Sequence, residues 1–207
     1  VFHGEKRREV ADPQAEKEFA REWAQKAKDH PVVAFFKNSG TPGLVSIINK
    51  IGAFPSRYWS AGTADHWEKI SADTLHSEYS VTPTACNRCF MACGRLTTVK
   101  EGKYKGLQID GPEYETIFAF GGLCLIQNIG EIMHLNDLCD RLGMDTITGG
   151  NLAAFTIEAS LQGKIEEKFD YGDAGGIASL LKKIAIREGI GAILAEGIRH
   201  AAKAWGM

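Results

Sequence analysis

Ile129-Gly130-Glu131-Ile132-Met133-His134-Leu135-Asn136-Asp137-Leu138-Cys139-Asp140-Arg141-Leu142-Gly143 decides the fold. Ile132, Leu135, Leu138 and Leu142 recur at three- and four-residue spacing, which places them on one face of a helix, and Gly143 supplies its stop. The same signal repeats outward in both directions. Toward the C-terminus, Thr148 to Leu161 carries Leu152, Phe155, Ile157 and Ala159 and stops at Gly163. Asp173 caps a further helix with Ile177, Leu180, Leu181, Ile184 and Ala185, which Gly189 stops. Ile193, Leu194, Ile198, Ala201 and Trp205 make the last stripe.

Toward the N-terminus, Asp12-Pro13 opens a helix with Phe19, Trp23 and Ala27 on one face. Thr41-Pro42 starts another, striped by Leu44, Ile47, Ile48 and Ile51 and ended by Gly52. An aromatic, turn-like stretch follows from Ala53 to Trp59. Ser71 caps a short helix to about Tyr79, and a further helix runs from about Glu113, interrupted by Gly121-Gly122. Only Leu96 to Ile109 reads as β, alternating around Glu101-Gly102 and closed by Gly111-Pro112. The expected fold is therefore all-α and multihelical, with one minor β-hairpin near residues 96–109. A subdivision near residue 128 gives a helical domain over 1–128 and the start of a second over 129–207.

The 207 residues are 44% hydrophobic and 24% charged, as in ordinary globular proteins. Lys and Arg number 24 against 26 Asp and Glu, a net charge of −2, which gives no case for nucleic acid or an anionic membrane as partner. No apolar run approaches a membrane span and no signal peptide is read. Val1-Phe2-His3-Gly4 lacks an initiator Met, and the chain reads as part of a longer polypeptide. The odd count of five cysteines is not that of a secreted disulfide framework, and a reducing cytoplasm is expected. No dinucleotide fingerprint, phosphate-binding loop or Ser nucleophile elbow is present.

The clearest chemistry lies in Cys86-Asn87-Arg88-Cys89-Phe90-Met91-Ala92-Cys93-Gly94-Arg95. Three thiols at C-x2-C-x3-C spacing can be directed at one metal centre, and the two Arg and the Asn set the stretch apart from buried core cysteines. Thr84 is placed as the cap of a helix starting here. No second Cys or His pair follows at a zinc-type interval, so an iron–sulfur cluster fits the spacing better. Cys124 and Cys139 occupy apolar helix positions.

Two acidic stretches follow. Gly111-Pro112-Glu113-Tyr114-Glu115-Thr116 sets two carboxylates near a helix start, either a general acid/base pair or surface acids favoured by the helix dipole. Asp140-Arg141-Leu142-Gly143-Met144-Asp145-Thr146 flanks a helix end with two more. Such a turn could bind an NH-rich ring such as a pterin, or be a Gly C-cap followed by an Asp N-cap. The histidines, His3, His30, His66, His76, His134 and His200, are scattered and receive no role.

In order, these three motifs resemble the tungsten-dependent aldehyde ferredoxin oxidoreductase family. Ser39-Gly40-Thr41-Pro42-Gly43-Leu44, Pro55-Ser56-Arg57, Arg187-Glu188-Gly189-Ile190-Gly191 and Ala195-Glu196-Gly197 add to the likeness, which covers nearly the whole chain. The resemblance implies an enzyme that oxidises aldehydes to carboxylic acids, or runs the reverse, with ferredoxin as electron partner. It implies a [4Fe–4S] cluster on Cys86, Cys89 and Cys93. It also implies a tungsten (or molybdenum) bis-pterin, one pterin of which contacts Asp140, Gly143, Met144 and Asp145, with Thr146 close by. One of Glu113 and Glu115 would be the catalytic acid/base near the metal. Met144 stands where Leu is usual. The family's N-terminal β-rich base domain and its fourth cluster cysteine are missing, which marks the chain as a fragment expected to be inactive alone. A homo-oligomer is compatible with the likeness. The rival expectation is a small metal-binding module, either an iron–sulfur electron-transfer protein or a zinc domain.

Overall fold

A computed structural model describes residues 4, 9–87 and 89–207, so His3 and Arg88 lie outside the described residues. Ten α-helices surround a three-stranded sheet among the described residues. Helix α1 (Pro13–Ala27) begins as the Asp-Pro signal requires, with the Asp12 carboxylate accepting from the amides of Gln14 and Ala15. Its stripe is not core, however. Phe19 and Trp23 are 62% and 49% exposed and rest on each other at 5.9 Å, while Ala27 alone is buried.

Helix α2 (Pro31–Ser39) was not foreseen; His30 caps it through its ring, and Gly40 ends it. A 3-10 turn at Thr41–Gly43 leads into α3 (Leu44–Lys50), which turns Val45 inward and leaves Ile47 and Ile51 outside, so the stripe is rotated from the expected one. Ser71 caps α4 (Ala72–Glu78) through the amide of Thr74, as its sequence signals.

The sheet has the order β1-β2-β3, all antiparallel: β1 (Ser80–Thr84), β2 (Gly94–Thr98) and β3 (Gln108–Asp110). The β2–β3 pair is the expected hairpin. Strand β1 is additional, pairing Ser80 with Thr98 and Thr84 with Gly94. This overturns the helix expected after Thr84. Thr84 ends a strand, and the cysteine stretch is the connection between β1 and β2.

Beyond the sheet, Glu113 stands at the start of α5 (Tyr114–Thr116), which passes directly into a π-helical segment, Ile117–Leu123. Gly121 and Gly122 thus do not break this helix; they lie within its widened turn. Helix α6 (Ile129–Leu142) has the expected bounds, and Gly143 closes it in the left-handed conformation at φ 68°. Helix α7 (Thr146–Leu161) starts two residues earlier than expected, because Asp145 is its cap. Gly150 lets α7 lie against the π segment, since a Cβ there would meet the Ala119 backbone at 2.7 Å.

Asp173 caps α8 (Ala174–Ile186) as expected, but Arg187 rather than Gly189 takes the left-handed closing position. The last stripe is split at Gly197 into α9 (Ile190–Leu194) and α10 (Ile198–Trp205). A buried cluster containing Phe54, Phe120, Ile132, Leu135, Phe155 and Leu181 holds these layers together. No helix among the described residues is long and apolar enough to cross a membrane.

Candidate functional site

The cysteine loop is anchored at both ends by the β1–β2 pairing. Between them, the Cys89 amide donates to the Cys86 carbonyl at 2.9 Å, a tight turn, and Ala92 takes a positive φ of 50° just before Cys93. Cys86 and Cys89 are exposed and Cys93 half-buried. Cys124 and Cys139 are fully buried; burial pushes the Cys124 thiol far above its ordinary range, and burial with Asp140 and Asp145 nearby pushes Cys139 up to about 12. In the folded, metal-free protein three thiols are therefore expected to react promptly with a disulfide reagent at pH 8, and two only after denaturation. Five prompt thiols would contradict this burial.

Arg95 contradicts its expected place. Two Arg in the cysteine stretch were read as a sign of exposure, yet Arg95 is fully buried. Its carbonyl accepts from the Gly111 amide at 2.6 Å, and the Gly111 carbonyl accepts from the Thr97 hydroxyl, also at 2.6 Å. The Gly111-Pro112 peptide is cis, and Gly111 has φ 132°; a Cβ there would lie 3.1 Å from Asn136 Oδ1. Asn136, buried on α6, donates in turn to Asp140 Oδ2 at 2.9 Å. Hydrogen bonds thus tie the strand after the cysteine loop to Gly111, which lies close to Asn136 on α6 with no room for a side chain between them.

The two acids of the second motif have different settings. Glu113 is half-buried, and one of its carboxylate oxygens accepts from the Thr41 hydroxyl, which itself accepts from the Tyr114 amide at 2.9 Å. Desolvation raises the Glu113 pKa, reinforced by Glu115 and Asp110 and opposed by Thr41 and Arg95. Glu115 is exposed, and no described residue holds it by a hydrogen bond or ion pair. Directly after it, the Thr116 hydroxyl meets the Thr146 hydroxyl at 2.8 Å, which joins the acid motif to the third motif.

In that third motif both capping roles are realised. Gly143 is the left-handed C-cap of α6, and Asp145 accepts from the Thr148 amide at 2.7 Å as the N-cap of α7. These hydrogen bonds hold the Asp145 carboxyl below its ordinary range, whereas partial desolvation raises Asp140. Met144 packs on the core, so its side chain is committed there. The capping use leaves acceptor capacity on both carboxylates, since each has two oxygens.

The aromatic stretch packs onto helices. Phe54 meets Tyr114 at 6.1 Å, Tyr58 meets Phe155 at 5.8 Å, and Trp59 meets Phe118 at 6.2 Å while donating to Asn151 at 2.9 Å. A cleft of about 430 Å³ beside it is lined by residues that include Arg57, Asp65, His66 and Lys69 and by no residue of the three motifs. His66 contacts the Gly121 carbonyl at 2.8 Å and His134 stacks on Tyr104, both packing roles.

Among the described residues no three His, Cys, Asp or Glu side chains are gathered closely enough to hold a metal ion. The donors nevertheless fit a thiolate-bound cluster in kind: three thiols on the one loop between β1 and β2, with the buried Arg95 cation two residues beyond Cys93. Asp140 and Asp145 fit an NH-rich ligand as acceptors. The sequence motifs contain Arg95 and Thr41 without a role, and Asn136 lies outside them; the roles of Thr41 and Arg95 come from partners distant in sequence, Glu113 for Thr41 and Phe36 and Lys37 for Arg95.

The scaffold is multihelical and carries a thiol loop, a half-buried acid and an acidic turn, and the comparisons give its class, a helical domain of an oxidoreductase family. More particularly, the chain belongs to the aldehyde ferredoxin oxidoreductase family. The sequence model described as "Aldehyde ferredoxin oxidoreductase, domains 2 & 3" matches residues 18–207. Tungsten-containing aldehyde ferredoxin oxidoreductase of Pyrococcus furiosus is 32% identical over the whole chain, which spans 35% of that relative. The aliphatic sulfonate oxidoreductase WOR-like subunit of the same organism is 32% identical over 81% of the chain and 28% of its own length. The chain thus spans about a third of the curated relatives it matches. Among solved structures, the active-site complex BamBC of benzoyl coenzyme A reductase shares the fold. Its TM-score is 0.65 at 16% identity, covering 91% of this chain and 30% of that one.

Proposed function

We propose that this chain is the helical part of an enzyme that oxidises aldehydes to carboxylic acids and passes the electrons to ferredoxin. The observation that supports this reading is the physical joining of the three motifs through Arg95, Gly111, Asn136 and the Thr116–Thr146 contact. Cys86, Cys89 and Cys93 would hold a [4Fe–4S] cluster, with the fourth thiolate and the β-rich base domain supplied from outside this chain. Asp140, Gly143, Met144, Asp145 and Thr146 would face one pterin of a tungsten or molybdenum bis-pterin, Met144 offering its backbone. When bound, these groups supply two-electron oxygen chemistry and a one-electron exit.

The chain's own residues do the positioning and the proton work. Thr41 ties Glu113 down, so Glu113 braces the turn between β3 and α5. Glu115, unrestrained and accessible, holds or moves a proton at the carbonyl oxygen of the aldehyde. Thr116 keeps that acid in register with the Asp140–Thr146 turn. The proposal includes a cytoplasmic location and a division near residue 128, with the cysteine and acid motifs in 1–128 and the acidic turn in 129–207. The isolated chain is expected to show no aldehyde-dependent reduction of a viologen dye; a measurable rate from the purified 207-residue chain would contradict the missing-parts reading.

A further inference from the structure

Arg95 is the largest fully buried side chain among the described residues. A guanidinium removed from water needs partners for its donors, and no described carboxylate lies within ion-pair distance of this one. Its partners are carbonyls. Nη1 donates to Ala92 at 3.0 Å and to Gly94 at 2.7 Å, the residues on either side of Cys93. Nη2 donates to Phe36 at 2.8 Å and Lys37 at 2.9 Å, in the last turn of α2. Both carbonyls lie in the last turn, at the negative end of the helix dipole, and the Phe36 carbonyl also accepts from the Gly40 amide at 2.8 Å. One side chain therefore fastens the closing end of the cysteine loop to the end of a helix nearly sixty residues away in sequence.

The fit is close on the other side as well. Gly40, which ends α2 with φ 65°, faces the guanidinium; a Cβ there would stand 2.9 Å from Arg95 Nε and 2.9 Å from the Cys93 carbonyl. Nε has no hydrogen-bond partner among the described residues. Four carbonyl dipoles offset only part of the cost of a buried, unpaired cation. The site therefore favours an anionic neighbour, and the thiol loop is the adjacent place for one.

We propose that Arg95 is the positioning residue of the cysteine loop: it fixes Ala92 to Gly94 against α2 before any centre binds, and its buried charge raises the reduction potential of an anionic thiolate-bound cluster held there. This rests on the iron–sulfur reading above. The planar fork explains why Arg is required for the clamp. It offers two nitrogens, each reaching two carbonyls, which one ammonium does not do. A Lys keeps the charge and loses the clamp, and a Met loses both. Cluster potentials respond to nearby charge, so the two contributions separate.

The test compares the assembled, cluster-loaded enzyme with its Arg95→Lys, Arg95→Met and Gly40→Ala forms. Gly40→Ala crowds Nε and the Cys93 carbonyl without altering any charge, so it carries the test if the Arg95 variants fail to fold. All three are expected to release iron to a ferrous chelator roughly tenfold faster or more. Only Arg95→Met is expected to lower the midpoint potential in a mediated redox titration. In the metal-free protein, amide exchange is expected to quicken at residues 36–40 and 92–96 in every variant and to stay unchanged in α6 and α7. Unchanged iron release and exchange across the variants overturns the clamp, and an unchanged potential in Arg95→Met overturns the electrostatic role. If the assembled enzyme, with the fourth thiolate in place, holds no iron, the cluster reading itself fails and this inference falls with it.

Discussion

Cys89→Ser is expected to lower the iron and acid-labile sulfide bound by the assembled enzyme by roughly tenfold or more, while leaving the metal-free fold intact. The reasons lie in the loop. Cys89 is exposed, and its backbone rather than its thiol makes the contact with Cys86. An exposed side chain replaced by a hydroxyl of similar size changes stability by about 0.5 kcal/mol at most. The same hydroxyl is a poor ligand for iron, which in such clusters is held by soft thiolates. Cys139→Ala should do the opposite. That thiol is fully buried against the core, so its loss opens a small void and costs about 1 kcal/mol, with iron content unchanged. Measured together, iron content and the denaturant midpoint of the metal-free protein give a double dissociation. Full iron in Cys89→Ser would remove the cysteine loop as the centre.

What was legible in the sequence was local. Helix α6 was read to its last residue because a stripe of Ile132, Leu135 and Leu138 meets an unambiguous stop, and Gly143 adopts the left-handed angle that a stop requires. Helix α2 escaped notice because its cap is His30, an uncommon capping residue, and its body Val32-Val33-Ala34-Phe35-Phe36 shows no polar alternation. Strand β1 was hidden by Pro83, which a strand tolerates here because β1 lies at the sheet edge. Once β1 pairs with β2, the cysteine stretch must span the gap between two adjacent strand ends, and a helix there is excluded. The residue types of all three motifs were visible, but their support was not. Arginine is usually a surface residue, and the burial of Arg95 depends on the distant carbonyls of Phe36 and Lys37 as well as the local ones of Ala92 and Gly94. Thr41 likewise gains its role from Glu113, a partner that no local pattern reveals, whereas Asn136 donates to Asp140 one helical turn on.

Glu115→Gln in the assembled enzyme is expected to lower kcat for aldehyde oxidation by roughly 10²- to 10⁴-fold, the usual range for loss of a general acid/base, whereas Glu113→Gln should cost less than about tenfold. A perturbed pKa is often a mark of function, and by that criterion Glu113 would be chosen. Here the perturbation has a structural cause: the carboxylate is half-buried and engaged by Thr41, so it has no freedom to follow a reacting proton. Its signature should be a stability effect instead. The folded protein favours the neutral form, because the pKa is raised from the ordinary 4.5. That contribution is fully present below the unfolded value and disappears as pH rises through the folded one. Gln, neutral at every pH and still able to accept from Thr41, should therefore melt higher than the parent at pH 7 and lose that advantage near pH 4. Thermal unfolding of parent and variant at the two pH values checks the sign. If Glu113→Gln instead abolishes turnover while Glu115→Gln retains it, the roles of the two acids are reversed. The buried carboxylate tied to Thr41 would then be the one that meets the substrate.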